Sequence, residues 1–193
     1  MSDIVVFLET ERLILRWFDA EDLDLVIELD SDPEVMRFIN DGLPVDLVEV
    51  NENLEWWLTH YDRDGGYGFW AMAEKATGRF VGWMHFRPGD DAGPLEPELG
   101  YRLRRDAWGR GYASEASQAL IDKGFTELGV ERVYAETMAV NIASRRVMEK
   151  VGLRFVRAFH ADWPVRIRGD EEGDVEYAIT RAEWEADRAT DRT

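Results

Sequence analysis

WGRGYASEA, residues Trp108 to Ala116, places two glycines in a G-x-G spacing directly ahead of an apolar-periodic run. Glycine lets a backbone turn sharply and approach a ligand closely, and a helix N-terminus presents free N–H groups with the positive end of its dipole. The pattern suits a cradle for the pyrophosphate of a nucleotide-bearing cofactor; the alternative is a turn that only starts a helix. Downstream, Ala113, Ala116, Leu120 and Leu128 share one helical stripe with Phe125 close to it, and Gly129 stands at the C′ position. A helix of about 17 residues, roughly 25 Å long, therefore begins at the glycine turn. Upstream, Leu99 to Ala107 alternates Leu99, Tyr101 and Leu103 with Gly100, Arg102 and Arg104, the period of a half-buried strand. Ser114 occupies the place of a third glycine, and no Gly-Lys-Ser/Thr follows, so neither the dinucleotide fingerprint nor the Walker loop fits.

A chain of 193 residues is most simply one domain, able to bury about 70% of its unfolded surface. It has no cysteine, which excludes disulfides, thiolate nucleophiles and Cys-based zinc sites, and no pair of histidines with a carboxylate suggests a metal. There is no signal-like N-terminus and no apolar run of membrane-spanning length, so a soluble cytoplasmic protein is expected. The net charge of −17 argues against unspecific nucleic-acid binding. Acid is concentrated early: residues 1–64 carry 18 Asp and Glu against 4 Arg and Lys. Tyr101 to Gly111 reverses the balance, with Arg102, Arg104, Arg105 and Arg110 against Asp106. Basic charge beside the cradle suits an anion; the alternative is a solvated arginine face.

Arg12 to Phe18 is expected as an edge or second strand, after which Asp19 caps a helix and Asp32-Pro33 restarts a short one through Asn40. A further helix is expected from about Asp46 to Tyr61, with Val50, Leu54, Trp57 and Leu58 at helical spacing and Trp56 and Trp57 in the core or lining a groove. From Gly68 the period becomes two, giving a hairpin turned at Thr77-Gly78 that sets Ala71 and Ala73 opposite the Trp83 region. The remaining order is strand, helix, strand, short helix, strand, a loop at 165–174, a last strand, and a polar tail expected to fray from about 185. Without repeats or linkers, this alternation describes a mixed sheet with helices on its faces.

Some 30 residues after the cradle comes NIASRRVMEKVGL, Asn141 to Leu153. Asn141 can cap the helix or bond a ligand, Ser144 sits one turn in, and Gly152 ends it. Together WGRGYASEA and NIASRRVMEKVGL resemble the acetyl-CoA signature of the GNAT superfamily of N-acetyltransferases. The opening TERLILR, the strand PELGYRL and the closing EYAITRAEW resemble its branch of Rim-type ribosomal-protein N-acetyltransferases. The resemblance implies an α/β fold with a mixed, mostly antiparallel central sheet flanked by helices on both faces, spanning residues 1–193 as one domain. It implies transfer of acetyl from acetyl-CoA to a primary amine by direct attack in a ternary complex, with a catalytically weak CoA-binding sensor as the alternative.

Residue by residue, the superfamily pattern Q/R-x-x-G-x-G/A falls on Trp108 to Ala113. The resemblance implies that amides from Gly109 through Arg110, Gly111, Tyr112 and Ala113 to Ser114 hold the pyrophosphate, that Asn141 touches the pantetheine arm, and that Leu103, Arg104 and Arg146 add cofactor contacts. Trp108 replaces the usual Gln or Arg. Met148 stands where many members have a tyrosine general acid, and methionine cannot donate a proton.

Amide formation from a thioester needs a neutral amine, a polarised carbonyl and a stabilised leaving thiolate. Glu98 is the candidate base, in a position that resembles that of the base in some members; a solvated strand Glu is the alternative. Ser144 is the candidate partner of the thiolate, with Tyr177 second. His85 is either a base or a satisfied structural histidine, and His60 and His160 read as peripheral. The acid excess of residues 1–64 points to a cationic amine acceptor, against general surface acidity that serves solubility. A homodimer is compatible with the sequence, and no membrane or nucleic-acid partner is expected.

Overall fold

The computed structural model describes residues 4–59, 61, 66–89, 92–163 and 166–190. Two strands, β1 (Val6–Glu9) and β2 (Leu13–Trp17), lead into helices α1 (Leu23–Asp30), α2 (Arg37–Asn40) and α3 (Leu47–Leu58). Three strands follow, β3 (Gly68–Glu74), β4 (Phe80–Pro88) and β5 (Pro97–Leu103), then the cradle helix α4 (Tyr112–Glu127). The chain ends with β6 (Arg132–Met138), α5 (Ile142–Lys150), β7 (Arg154–Phe159), β8 (Asp174–Thr180) and α6 (Arg181–Thr190). The eight strands form one sheet in the order β1-β2-β3-β4-β5-β6-β8-β7. All neighbours are antiparallel except β5 and β6, which run parallel and pair at a single register position, Glu98 with Tyr134. The expected mixed, mostly antiparallel sheet with helices on both faces is the observed fold.

Strand alternation separates two cores across the sheet. Trp70, Met72, Met84, Phe86 and Leu99 point to one side and pack with Ala116, Leu120 and Ile121 of α4 and Met148 of α5. Phe69, Ala71 and Trp83 point to the other and pack with Val26 and Leu29 of α1 and Val50, Leu54 and Trp57 of α3. Burying each large side chain contributes roughly 1.5–3 kcal/mol, so both helical layers are fixed to the sheet. Among the described residues no helix is long and apolar enough to cross a membrane.

Of the two places expected for Arg12–Phe18, the second strand is the one observed, as Leu13–Trp17, because β1, which carries only four residues, covers its outer edge. Two other segments depart from expectation. The helix expected from Pro33 forms only at Arg37–Asn40: Phe38 is non-helical at φ −99° and Asp41 turns left-handed at φ 58°, which closes the segment. The tail is ordered as α6 through Thr190. Trp184 places its ring 5.3 Å from Phe125 and donates to Asp122 at 2.8 Å, while Arg154 pairs with Glu183 and Asp187. One aromatic anchor and these ion pairs replace the apolar face that the sequence lacks.

Candidate active site

The cradle is built where β5 meets α4. Trp108 donates from Nε1 to Leu103 O at 2.9 Å, which ties the turn to the strand end. Gly109 and Gly111 then adopt φ 70° and 81°, left-handed values that favour glycine. Gly111 is the N-cap and supplies no side-chain cap; the first helical bond runs from Glu115 N to Gly111 O at 3.0 Å. The amides at the start of α4 are therefore without intrahelical acceptors, at the positive end of a 16-residue helix. The turn is braced from behind: Arg12 donates to Arg110 O at 3.0 Å and pairs with Glu115 at 2.6 Å, and Tyr112 gives its hydroxyl hydrogen to Glu74.

A cavity of about 840 Å³ opens from this turn. Its wall takes Leu99, Tyr101 and Leu103 from one face of β5 and Glu98, Gly100 and Arg102 from the other, together with Glu136 of β6. It thus passes through the sheet where β5 and β6 part beyond their single paired position. Leu103, Gly109, Gly111, Tyr112, Ala113, Ser114, Asn141, Ser144, Arg146 and Glu98 all line it, as expected of a shared site.

Two expected cofactor contacts do not line the cavity. Arg104 turns to Glu28 at 2.8 Å and Arg110 to Glu74 at 2.8 Å, so their guanidiniums are held by carboxylates. The rest of the arginine cluster is engaged likewise, Arg102 with Asp30 at 2.6 Å and Arg105 with Asp32 at 3.4 Å. Basic charge beside the cradle mainly binds the acidic N-terminal segment to the sheet. The cations that line the cavity without a carboxylate partner, among the described residues, are Arg146 and Lys150, one turn apart on α5. The unpaired helix amides and these two cations suit an anionic group.

At the far end, β4 and β5 present a cross-strand lattice: Arg87 opposite Glu98, His85 opposite Gly100, Trp83 opposite Arg102. Gly100 is needed there, because a Cβ would stand 2.5 Å from the His85 ring. His85 Nε2 is buried without a hydrogen-bond partner, 3.9 Å from Glu98 Oε2. Burial pushes the Glu98 carboxyl up to about 7, with repulsion from Glu136 adding and Arg87 opposing. Burial also holds His85 down at about 3, helped by Arg87 and Arg102, so the imidazole is neutral around pH 7. His85 is neither satisfied nor basic. His160 is exposed and peripheral, its Nε2 3.4 Å from Glu171 O; His60 lies outside the described residues.

Midway along the cavity, Ser144 Oγ lies 3.0 Å from the hydroxyl of Tyr101, which also donates to Ser144 O at 3.1 Å. Burial raises the Tyr101 phenol to about 12, so it stays protonated. Tyr101 was missed from sequence: the strand period gives its face, but its partner lies 43 residues away. Met148 lines the same wall and is 2% exposed. Tyr177 is not part of the wall, since its hydroxyl donates to Glu149 at 3.0 Å and accepts from Arg145 at 3.1 Å. Asn141 caps α5, accepting from Ser144 N at 3.3 Å and donating to Thr137 at 3.1 Å, and also lines the cavity.

The cavity thus joins the free amides at the start of α4 on one side of the sheet to the half-buried Glu98 carboxyl on the other. Residues 12–154 match the Acetyltransferase (GNAT) domain model, and the chain belongs to this family of acetyl-CoA-dependent acyltransferases. It is 36% identical over 183 residues to FsC-acetyl coenzyme A-N(2)-transacetylase of Aspergillus fumigatus, covering 92% of this chain and 77% of that one. A GNAT-family acetyltransferase of known structure from Bacillus anthracis shares 26% identity with a TM-score of 0.74, covering 93% and 99% of the two chains. RimL, a ribosomal L7/L12 alpha-N-protein acetyltransferase solved with coenzyme A, has the same fold: TM-score 0.73, 19% identity, 92% and 98% covered.

Proposed function

We propose that the protein transfers acetyl from acetyl-CoA to a primary amine held on the α1 and α3 face of the sheet, by direct attack in a ternary complex. The through-sheet cavity carries this reading, because it joins donors suited to a pyrophosphate to a half-buried carboxyl of raised pKa. Acetyl-CoA supplies the acetyl group as a thioester. The amides from Gly109 to Ser114 hold its pyrophosphate, Arg146 and Lys150 face its remaining negative charge, and Leu103 and Asn141 border its arm. Glu98 takes the proton that the ammonium form of the acceptor must lose; an alkyl amine has a pKa of about 10, and a base near 7 is ionised at working pH. His85 stays neutral and keeps a second positive charge away from the incoming amine. The Ser144 and Tyr101 hydroxyls form a linked pair facing the departing sulfur, which compensates for Met148 at the position where many superfamily members carry tyrosine.

Part of the acid excess of residues 1–64 is engaged within the fold, while Glu34 lines the large cavity. Asp22, Glu28, Asp30 and Asp32 are each paired with an arginine. Both a small amine and a protein N-terminus meet the chemical requirement at Glu98, and the acids of residues 1–64 that make no ion pair among the described residues favour a cationic one. A thiol-release assay with acetyl-CoA and a panel of primary amines, read together with mass spectrometry of the amine, tests the proposal. Acetylated amine with stoichiometric thiol supports it. Tight CoA binding without thiol release from any amine would favour the sensor instead.

A further inference from the structure

A second cavity, of about 270 Å³, lies between α1 and α3 on one side and the Glu98-bearing face of the sheet on the other. It shares Trp83 and Arg102 with the large cavity, so the two spaces adjoin through a common wall. Its apolar side is aromatic. Trp57 stacks on Phe69 at 4.8 Å and stands 5.4 Å from Trp83, with Trp56 at the margin 5.7 Å from Phe69.

Its polar side sets three donors beside Asp30 and Asn53. Trp83 Nε1, Arg87 Nε and Arg102 Nε are all buried and all lack a hydrogen-bond partner, although buried donors in folded proteins nearly always have one. Three orphaned N–H groups in the wall of one cavity select a ligand rich in acceptor oxygens. Charge narrows the class. Arg102 is neutralised by Asp30 at 2.6 Å, whereas Arg87 makes no ion pair among the described residues. It lies over Trp56 at 5.0 Å and donates to Pro88 O at 3.1 Å; Glu98 faces it across the strands without an ion pair. Two guanidiniums and one carboxylate thus line the cavity, and one positive charge is left for a ligand to match.

We propose that this cavity is the acceptor subsite and takes a carboxylate joined to a flat apolar group, so that the acceptor is an amine of aromatic amino-acid type. The carboxylate engages Arg87 and the neighbouring N–H of Trp83, the ring lies against the exposed Trp56 at the margin of the aromatic wall, and the amine faces Glu98. The assignment of the amine's direction rests on the proposed acetyl transfer; the binding of the carboxylate does not.

Calorimetry with hydrocinnamate and with its neutral amide, hydrocinnamamide, separates the two. Hydrocinnamate should bind about 10-fold or more tighter than the amide, because a charge-assisted bond to guanidinium is worth more than a neutral one. Arg87→Gln should weaken the carboxylate about 10- to 100-fold and leave the amide unchanged, Arg87→Lys should recover part of the loss, and Trp83→Phe should cost the carboxylate a few-fold while keeping a ring in place. Equal binding of both probes, binding of neither, or an Arg87→Gln variant with the same preference as the parent would overturn the subsite. In thiol-release assays, phenylalanine should exceed phenethylamine in kcat/KM by about 10-fold, and Arg87→Gln should erase that ratio. Tight carboxylate binding with no acetylation of any amine would reject the proposed reaction while leaving the subsite standing.

Discussion

Replacing Glu98 with glutamine should make the protein more stable and less active at the same time. The carboxyl moves from an ordinary 4.5 to about 7 on folding, so ionising it penalises the native state. One unit corresponds to about 1.4 kcal/mol, which sets a ceiling of about 3 kcal/mol; partial exposure of the side chain lowers the expected gain to about 1–3 kcal/mol. The sign follows from linkage. Below pH 4.5 the carboxyl is neutral in both states and glutamine gains nothing, whereas between 4.5 and 7 the parent progressively loses stability as the unfolded chain ionises first. Above 7 the full difference persists. Thermal unfolding of parent and Glu98→Gln at a series of pH values should give midpoints that coincide near pH 4.5 and diverge by roughly 2–10 °C by pH 8. A variant less stable than the parent at pH 8, or a difference that does not change with pH, would refute the buried-charge account of Glu98.

Gly111→Glu should abolish measurable CoA binding in calorimetry, since it brings a Cβ into a left-handed position and a negative charge to the free end of α4. Tyr101→Phe and Ser144→Ala should each lower kcat by about 10- to 100-fold with little change in KM for acetyl-CoA, and the double variant should lose much less than the product, because the hydroxyls act as one linked pair; multiplicative losses in the double variant would separate them. Trp184→Ala should cost about 1–3 kcal/mol in urea unfolding by removing the Phe125 contact and the bond to Asp122, and an unchanged midpoint would show that α6 adds nothing to the fold.

Sequence reasoning located the parts of this site that are local. The G-x-G spacing gave the start of α4, the two-residue period gave the faces of β3, β4 and β5, and Asn141 was legible as a cap because N-caps are read over three residues. What escaped is made by contacts distant in sequence. The guanidiniums of Arg104 and Arg110 look free beside the cradle in sequence because their carboxylate partners, Glu28 and Glu74, lie far up the chain. The strand period puts Tyr101 on one face with Leu99 and Leu103 but does not reveal that α5 sets Ser144 against it, and the cavity at Trp83, Arg87 and Arg102 exists only because two strands pair in one register beneath two helices. The polar C-terminus failed differently: its helix depends on one tryptophan and several ion pairs, too few apolar residues to register as a periodic pattern.

The central claim is that Glu98 takes the proton of the acceptor amine, and the pH dependence of kcat/KM for parent and Glu98→Gln tests it most directly. The parent should rise through about pH 7, where Glu98 ionises, and then level. Glu98→Gln should depend on amine already neutral in solution, so its kcat/KM should keep climbing toward the amine's own pKa of about 10 and the gap between the two should close as pH rises. Parallel profiles, with the same inflection near 7 in both proteins, would contradict the assignment of Glu98 as the base.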